Sequence, residues 1–351
     1  MSWRDNIRKV VPYVPGEQPK VEGKLIKLNT NENPYPPAPS VLRASEEMDL
    51  EKYRLYPDPT ASKLVQAIAK EHNLNENQVF VGVGSDDVIA MAFLTFFNSD
   101  KPILFPDVTY SFYDVWAELF KIPYECPKLD ENFNIIAADY KKPNGGIIFP
   151  NPNAPTGILV GLDFIEEILK ANQDSVVIID EAYIDFGGES AVALIEKYDN
   201  LLVTRTYSKS RSMAGIRIGY AMGNAELIKA INDVKYSYNS YTMNLASIEL
   251  GAAVLEDKSY FEETRNKIIA TRERCKVKFR ELGFTFPDSM SNFIFAKPDK
   301  ISAKELFEEL KKRNIYVRYF SAPRLKDYLR ITIGTDEEMD ILFEAIKEII
   351  G

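Results

Sequence analysis

Five short apolar runs recur through the middle of this chain, and segments of helical period separate most of them. The runs are Val79-Phe80-Val81-Gly82-Val83, Pro102-Ile103-Leu104-Phe105, Gly146-Ile147-Ile148-Phe149, Val176-Val177-Ile178-Ile179 and Leu201-Leu202-Val203-Thr204. Each is a near-continuous apolar stretch of strand length, the pattern of a strand buried on both faces. Between them lie amphipathic stretches such as Phe164-Ile165-Glu166-Glu167-Ile168-Leu169-Lys170. Strands alternating with helices predict an α/β fold, a mainly parallel sheet covered on both sides.

From about Asp257 the pattern changes. A long charged helix (Tyr260 to about Leu282) leads into Asn292-Phe293-Ile294-Phe295, a helix from Ser302, the runs Ile315-Tyr316-Val317-Arg318 and Leu329-Arg330-Ile331-Thr332-Ile333, and a last helix from Thr335. This reads as a smaller α+β domain. The proline-rich start (Pro12, Pro15, Pro19, Pro34, Pro36, Pro37, Pro39) reads as an arm laid over the surface or a partner subunit. The expected division is an arm over 1–39, a large domain over 40–260 and a small one over 261–351, which suits a length of 351 residues.

A formal charge of −9 argues against a nucleic-acid partner, which calls for a basic field. No apolar run approaches the roughly 20 residues of a membrane span, and the first residues lack the apolar core of a signal peptide. Two widely spaced cysteines, Cys126 and Cys275, read as reduced thiols in a cytoplasmic protein. The single histidine, His72, reads as a solvated surface residue. With one histidine, neither a multi-histidine zinc site nor an ordinary Ser-His-Asp triad is available, so no metal is expected. Lysine, tyrosine, carboxylate or a cofactor must then move protons.

In α/β sheets ligands bind beyond the carboxyl ends of the strands, where most candidate residues fall. After the last apolar run comes Thr206-Tyr207-Ser208-Lys209-Ser210, with Arg217 eight residues beyond the lysine. Hydroxyls and an arginine suit a phosphate, and a lysine beside a phosphate suits a Schiff base with an aldehyde. That combination points to pyridoxal phosphate; the bland alternative is a basic, serine-rich surface loop. Gly82-Val83-Gly84-Ser85-Asp86 opens a helix whose amides at Ser85 and Asp86 can hold an anion, or it is a glycine turn with an Asp cap. Asp180, at the end of its apolar run, would need a cation such as a protonated pyridine nitrogen, or it is a strand-ending Asp that caps a helix with Glu181 and Tyr183 exposed. Tyr183, three residues on, could reach a ring hydroxyl, and Tyr110 could stack on a flat ring or pack in the core. Pro150-Asn151-Pro152-Asn153-Ala154-Pro155-Thr156-Gly157 reads as one wall of the same cleft, with a cis X-Pro bond plausible. Arg318 and Arg330 lie on apolar strands, suited to carboxylate or phosphate recognition or to ion pairs within the chain.

In this order these residues resemble the fold-type I pyridoxal-phosphate aminotransferases over nearly the whole chain. The flanking segments Lys27-Leu28-Asn29-Thr30-Asn31-Glu32-Asn33-Pro34, Arg54-Leu55-Tyr56-Pro57-Asp58-Pro59 and Tyr328-Leu329-Arg330-Ile331-Thr332-Ile333-Gly334-Thr335 are similar to the histidinol-phosphate aminotransferase family. The resemblance implies a large domain built on a seven-stranded type of sheet, and pyridoxal 5′-phosphate as cofactor. It implies Lys209 as the covalent lysine and proton carrier, Asp180 at the pyridine nitrogen, Tyr183 at the ring oxygen and Tyr110 stacked on the ring. The cofactor phosphate would take Ser85, Asp86, Thr206, Ser208 and Arg217, with Tyr56 reaching it from the partner of a homodimer. Arg330, Arg318, Tyr13 and Asn31 would face the substrate. The family commonly has Asn directly before Pro-Thr-Gly, where this chain has Ala154; Asn153 would reach the ring hydroxyl only if the loop shifts. The implied reaction exchanges an amino group between histidinol phosphate and 2-oxoglutarate. Alternatives are an aromatic or broad-specificity aminotransferase and a threonine-phosphate-type decarboxylase.

Overall fold

A computed structural model describes residues 2–351. In chain order its strands are β1 (Ile26–Lys27), β2 (Val79–Gly82), β3 (Ile103–Leu104), β4 (Tyr124–Glu125), β5 (Gly146–Pro150), β6 (Val177–Asp180), β7 (Leu201–Thr206), β8 (Gly219–Gly223), β9 (Phe284–Thr285), β10 (Phe293–Pro298), β11 (Ile315–Tyr316), β12 (Arg318–Tyr319) and β13 (Leu329–Thr332). Seven of them form one sheet in the order β2-β8-β7-β6-β5-β3-β4. Five neighbours, β7-β6-β5-β3-β4, run parallel, while β8 is antiparallel to both β7 and β2. The mainly parallel α/β sheet expected from the apolar runs is therefore present.

Alternation along each strand explains why the runs are apolar throughout. Ile147, Phe149, Val177, Ile179, Leu201 and Val203 enter one core, while Ile148, Ile178 and Leu202 enter another on the opposite face. The first core is covered by the helices Ser62–His72 and Leu162–Ala171, through Leu64, Ile68, Ile165 and Ile168. The second is covered by Ser85–Phe96, Tyr113–Phe120 and Ala225–Tyr238, through Val88, Phe93, Trp116, Ile228 and Ile231. A polar residue at a central strand position would be buried whichever way it pointed.

A second, antiparallel sheet has the order β12-β13-β10-β9. The helix Ala303–Lys312, the helix Asp336–Ile350 and the distal part of Lys258–Glu281 pack on its core through Leu306, Leu310, Leu342, Ile346, Cys275 and Phe279. Thr335 caps the last helix in a reciprocal capping box with Glu338. Near the start of the chain, β1 pairs in parallel with β11, which ties the proline-rich segment to this smaller unit.

Register decides where the loops converge. Asp180 lies opposite Pro150 on β5 and Thr204 on β7, and Thr206 lies opposite Gly219, itself opposite Gly82 on β2. Because β8 reverses direction between β2 and β7, β2 ends at the same edge as β5, β6 and β7. The loops after Gly82, Pro150, Asp180 and Thr206 therefore open onto one cleft. His72 is not the solvated residue expected: it is half-buried, with Nε2 3.1 Å from the Tyr220 hydroxyl. Burial, followed by the charge of Arg205, lowers its pKa to about 4, so it stands neutral.

Candidate active site

Two adjoining cavities of about 180 and 160 Å³ fill this cleft and share Thr30, Tyr110, Ala154, Tyr183 and Lys209 as a common wall. The first is lined at its base by Asp180 and along its rim by Ser85, Asp86, Thr206, Ser208 and Arg217. The second is lined by Tyr13, Asn31, Thr109, Arg318 and Arg330. A groove of about 430 Å³ beside Pro59 and Met243 is larger, but its buried lysine, Lys235, donates to the Pro59 carbonyl at 2.6 Å, leaving no comparable set of converging groups.

The rim is shaped by glycine. Gly84 has φ +87°, and a Cβ on it would lie 2.5 Å from Arg217 Nη2; a Cβ on Gly219 would lie 2.3 Å from Ser85 N. Their absent side chains let Arg217 approach the first turn of the helix Ser85–Phe96, which has no side-chain cap. Arg217 sits 3.5 Å from Asp86 and donates to the Ala214 carbonyl at 3.3 Å. Thr206 Oγ1 donates to Ser208 Oγ at 3.0 Å and accepts from the Ser208 amide at 3.1 Å. Backbone amides, hydroxyls and a guanidinium thus surround one end of the cavity, a set of donors matched to an anion.

Lys209 Nζ reaches into the shared wall and donates to the Thr30 carbonyl at 3.0 Å. Asn33 donates to the Lys209 carbonyl at 3.0 Å, and Ser210 donates to Asp185, which also takes Arg205. The peptide bearing the lysine is held from both sides while its amine stays at the cavity. Asp180 is buried; Oδ2 accepts from the Tyr113 hydroxyl at 2.8 Å and Oδ1 from the Ala182 amide at 3.3 Å. Burial raises its pKa to about 6, against the opposing effect of the Tyr113 hydrogen bond. Glu181 is buried too, pushed to about 7 by desolvation although Arg205, Ser190 and the Ala191 amide favour its charge. Tyr183 accepts from Asn31 Nδ2 at 2.9 Å and meets Phe293 edge-on. Tyr110 donates to Asp86 at 2.8 Å, and burial, then Asp86, holds its phenol protonated.

In the second cavity Arg318 and Arg330 lie opposite each other on β12 and β13. Among the described residues neither forms an ion pair with a carboxylate, so the alternative of intrachain pairing does not hold. Arg330 donates to the Asn29 carbonyl at 3.0 Å, its buried Nε has no partner, and burial lowers its pKa. Tyr13 closes this side, its ring stacked on Phe112 at 4.2 Å.

Two of the expected residues, Asn153 and Tyr56, lie outside these cavities, and a third, Asn31, has its side chain otherwise engaged. Asn153 does not line either cavity: its amide donates to the Val108 carbonyl and to Thr156 at 3.0 and 3.1 Å, and Ala154 faces the cleft instead. The expectation that Asn153 reaches a ring hydroxyl is corrected, because those bonds fix it inside a loop with cis bonds at Pro152 and Pro155. Tyr56 lies outside this chain's cleft, 82% exposed and packed on Tyr241. Asn31 lines the second cavity but spends its amide on Tyr183, with Oδ1 taking Thr332. Sequence reasoning missed Tyr113, Asn33 and Glu32. Glu32 lines the first cavity; burial opposes its charge, but Lys27 and Thr30 hold its pKa below the usual range. Among the described residues no group of His, Cys, Asp and Glu could hold a metal ion, and no helix is long and apolar enough to cross a membrane.

Comparison with known proteins bears on this cleft. A family model, aminotransferase class I and II, matches residues 23–346. The histidinol-phosphate aminotransferase of Clostridium beijerinckii is 51% identical over 349 residues, covering 99% of this chain and 97% of the relative. That of Clostridium acetobutylicum is also 51% identical, covering 99% of both. The fold superposes on a histidinol-phosphate aminotransferase structure from Sinorhizobium meliloti, solved in complex with pyridoxal-5′-phosphate. The TM-score is 0.84 at 23% identity, covering 92% of this chain and 90% of that one.

Proposed function

The chain belongs to the class I and II aminotransferase family, among the histidinol-phosphate aminotransferases, and we propose that it moves the amino group of histidinol phosphate to 2-oxoglutarate. The products are imidazole-acetol phosphate and glutamate, and the step belongs to histidine biosynthesis. Pyridoxal 5′-phosphate, when bound, supplies an aldehyde that exchanges amines and a ring that withdraws electrons from the substrate Cα.

The residues present fit that group. Ser85 and Asp86 offer backbone amides, Thr206 and Ser208 hydroxyls, and Arg217 its guanidinium to the phosphate. Asp180 is a buried carboxylate without a cationic hydrogen-bond partner, which a protonated ring nitrogen would satisfy. Tyr183 already accepts from Asn31, so its own O–H is free to donate to the ring oxygen. Tyr110 offers its ring as a stacking surface. Lys209 would supply the amine for the aldehyde carbon, and its Nζ would carry the proton between the substrate Cα and that carbon. A chain with one histidine thus moves its proton on lysine.

Arg330 and Arg318, with Tyr13, hold the anionic end of each substrate: the phosphate of the donor and then a carboxylate of the acceptor. The observation that carries this reading is the pair of carboxylate-free arginines in a cavity whose wall contains the Lys209 amine. A homodimer completes it, Tyr56 reaching the phosphate in the partner's cleft; its exposure and its absence from its own cleft support this. The free thiols Cys126 and Cys275 suit a cytoplasmic setting.

Mixing the pyridoxal-phosphate-loaded protein separately with histidinol phosphate, phenylalanine and aspartate, and following the cofactor's visible absorbance, tests the substrate. Histidinol phosphate is expected to react at least about tenfold faster, since a phosphate of nearly two charges engages both arginines where a carboxylate brings only one. Comparable rates for all three would defeat that substrate while leaving the transaminase standing.

A further inference from the structure

Asp180 is set by a residue that does not touch the cavity. Tyr113 begins the helix Tyr113–Phe120 and is fully buried. Its ring stands edge-on to Phe105 at 5.9 Å and to Tyr110 at 5.6 Å, and Phe93 and Trp116 pack around it. Few rotations of that ring are open, so its hydroxyl is aimed by packing alone. It ends 2.8 Å from Asp180 Oδ2.

We propose that Tyr113 is a positioning residue for Asp180: it occupies one carboxylate oxygen, supports the charged form, and leaves the carboxylate oriented for a cation in the cavity. The inference rests on the pyridoxal-phosphate reading above. A hydroxyl bonded to an ionised acceptor is stronger than a neutral pair, and it opposes the desolvation that favours the neutral acid. Burial first, and then Asp180 itself, raises the Tyr113 phenol well above its ordinary value, so it remains a donor throughout the working range. Of the other groups facing Asp180, the Ala182 amide bonds Oδ1 and the Thr204 side chain favours its charge, each less than Tyr113 does. Asp86 pushes against its charge, Tyr110 is spent on Asp86, and Lys209 and Arg217 line the cavity without bonding the carboxylate.

Only ionised Asp180 receives a protonated ring nitrogen without first losing a proton. Removing the Tyr113 hydroxyl makes the carboxyl of the cofactor-free protein harder to ionise. Cofactor affinity then falls on the acid side alone; where Asp180 is charged in both proteins, the two bind alike. The experiment is the pH dependence of the pyridoxal 5′-phosphate dissociation constant, measured by equilibrium dialysis from pH 5 to 9 for wild type, Tyr113→Phe and Tyr140→Phe. Tyr140 is an apt control, buried with a hydroxyl that has no hydrogen-bond partner. Tyr113→Phe is expected to bind about tenfold more weakly than wild type near pH 5, the size of one lost hydrogen bond to a charged group, and equally near pH 9. Tyr140→Phe should match wild type throughout. In an Asp180→Asn background the Tyr113→Phe change should lose its pH dependence. A loss of equal size at every pH, or none at any, overturns the proposal for Tyr113. Wild type that binds no pyridoxal phosphate at any pH overturns the functional reading itself.

Discussion

Arg330 lies near the rings of Phe293 and Phe320 and has a buried Nε without a partner. A guanidinium that burial already disfavours gains most from an anion, and a lysine there would lose the planar fork and the ring contacts. Arg330→Lys is therefore expected to lower kcat/KM for histidinol phosphate by about a hundredfold while leaving cofactor affinity within about twofold. Steady-state kinetics alongside cofactor titration checks both halves. Asp180 gives a prediction of opposite kind. Its folded pKa, raised to about 6, lies above the ordinary value near 4 of an unfolded chain. The folded, cofactor-free protein therefore binds the extra proton between those values, and stability falls as pH rises through that window. Asp180→Asn should stabilise the cofactor-free protein at pH 8 by about 2 kcal/mol, the gain vanishing below about pH 4, by thermal or denaturant melts. Such a site is less stable than it could be, and cofactor binding offsets the deficit. At this scale legibility followed chemistry. Asp180 and Arg330 are charged groups on apolar runs, and Lys209 follows one among hydroxyls with Arg217 close behind, so sequence singled them out. Tyr113 was invisible, because its spacing from Tyr110 says nothing about which carboxylate its hydroxyl meets. Asn153 was misread for a similar reason, since a side chain's direction in a proline-rich loop is set by bonds to Val108 and Thr156.

Among the elements, the turn between β2 and the helix Ser85–Phe96 is the most exacting. It needs a left-handed backbone at Gly84 and no side chain where Arg217 passes. Gly84→Ala is expected to weaken pyridoxal phosphate binding at least about tenfold by displacing Arg217 from the helix N-terminus, readable by cofactor titration. The helix Ser62–His72 carries a pH response of its own. His72 is neutral in the fold, with a pKa near 4 against about 6.5 when unfolded. The unfolded chain binds the extra proton between these values, so stability is full above 6.5 and falls as pH drops toward 4. His72→Gln should flatten that acid limb in melts run from pH 7 to 4. The strands themselves were the most legible elements, since a run apolar on both faces leaves little choice. The strand β8 was not among them: Gly219-Tyr220-Ala221-Met222-Gly223 is bounded by glycines and follows a polar loop, and its reversed direction depends on neighbours rather than local pattern.

For the whole molecule, Tyr56 is the residue whose role one chain cannot explain. Sedimentation should give a particle of twice the 39.9 kDa chain mass. Tyr56→Phe should raise the cofactor dissociation constant several-fold, about the effect of one hydrogen bond, without lowering the melting temperature of a residue that is 82% exposed. The broad α/β organisation was legible because it repeats a local pattern many times. The bonds that join the two sheets were not, because they link single residues far apart. The Asn29–Asn33 stretch makes several of them. Asn29 O takes Arg330, Thr30 O takes Lys209, Asn31 takes Thr332, and Asn33 holds the Lys209 peptide. Three of these bonds to the second sheet span 301 positions. On a ribosome, then, the lysine loop can settle against this stretch more than a hundred residues before the arginine strand exists. Every residue lining the cofactor's cavity is thus made by position 217, whereas the substrate's cavity waits for Arg318 and Arg330.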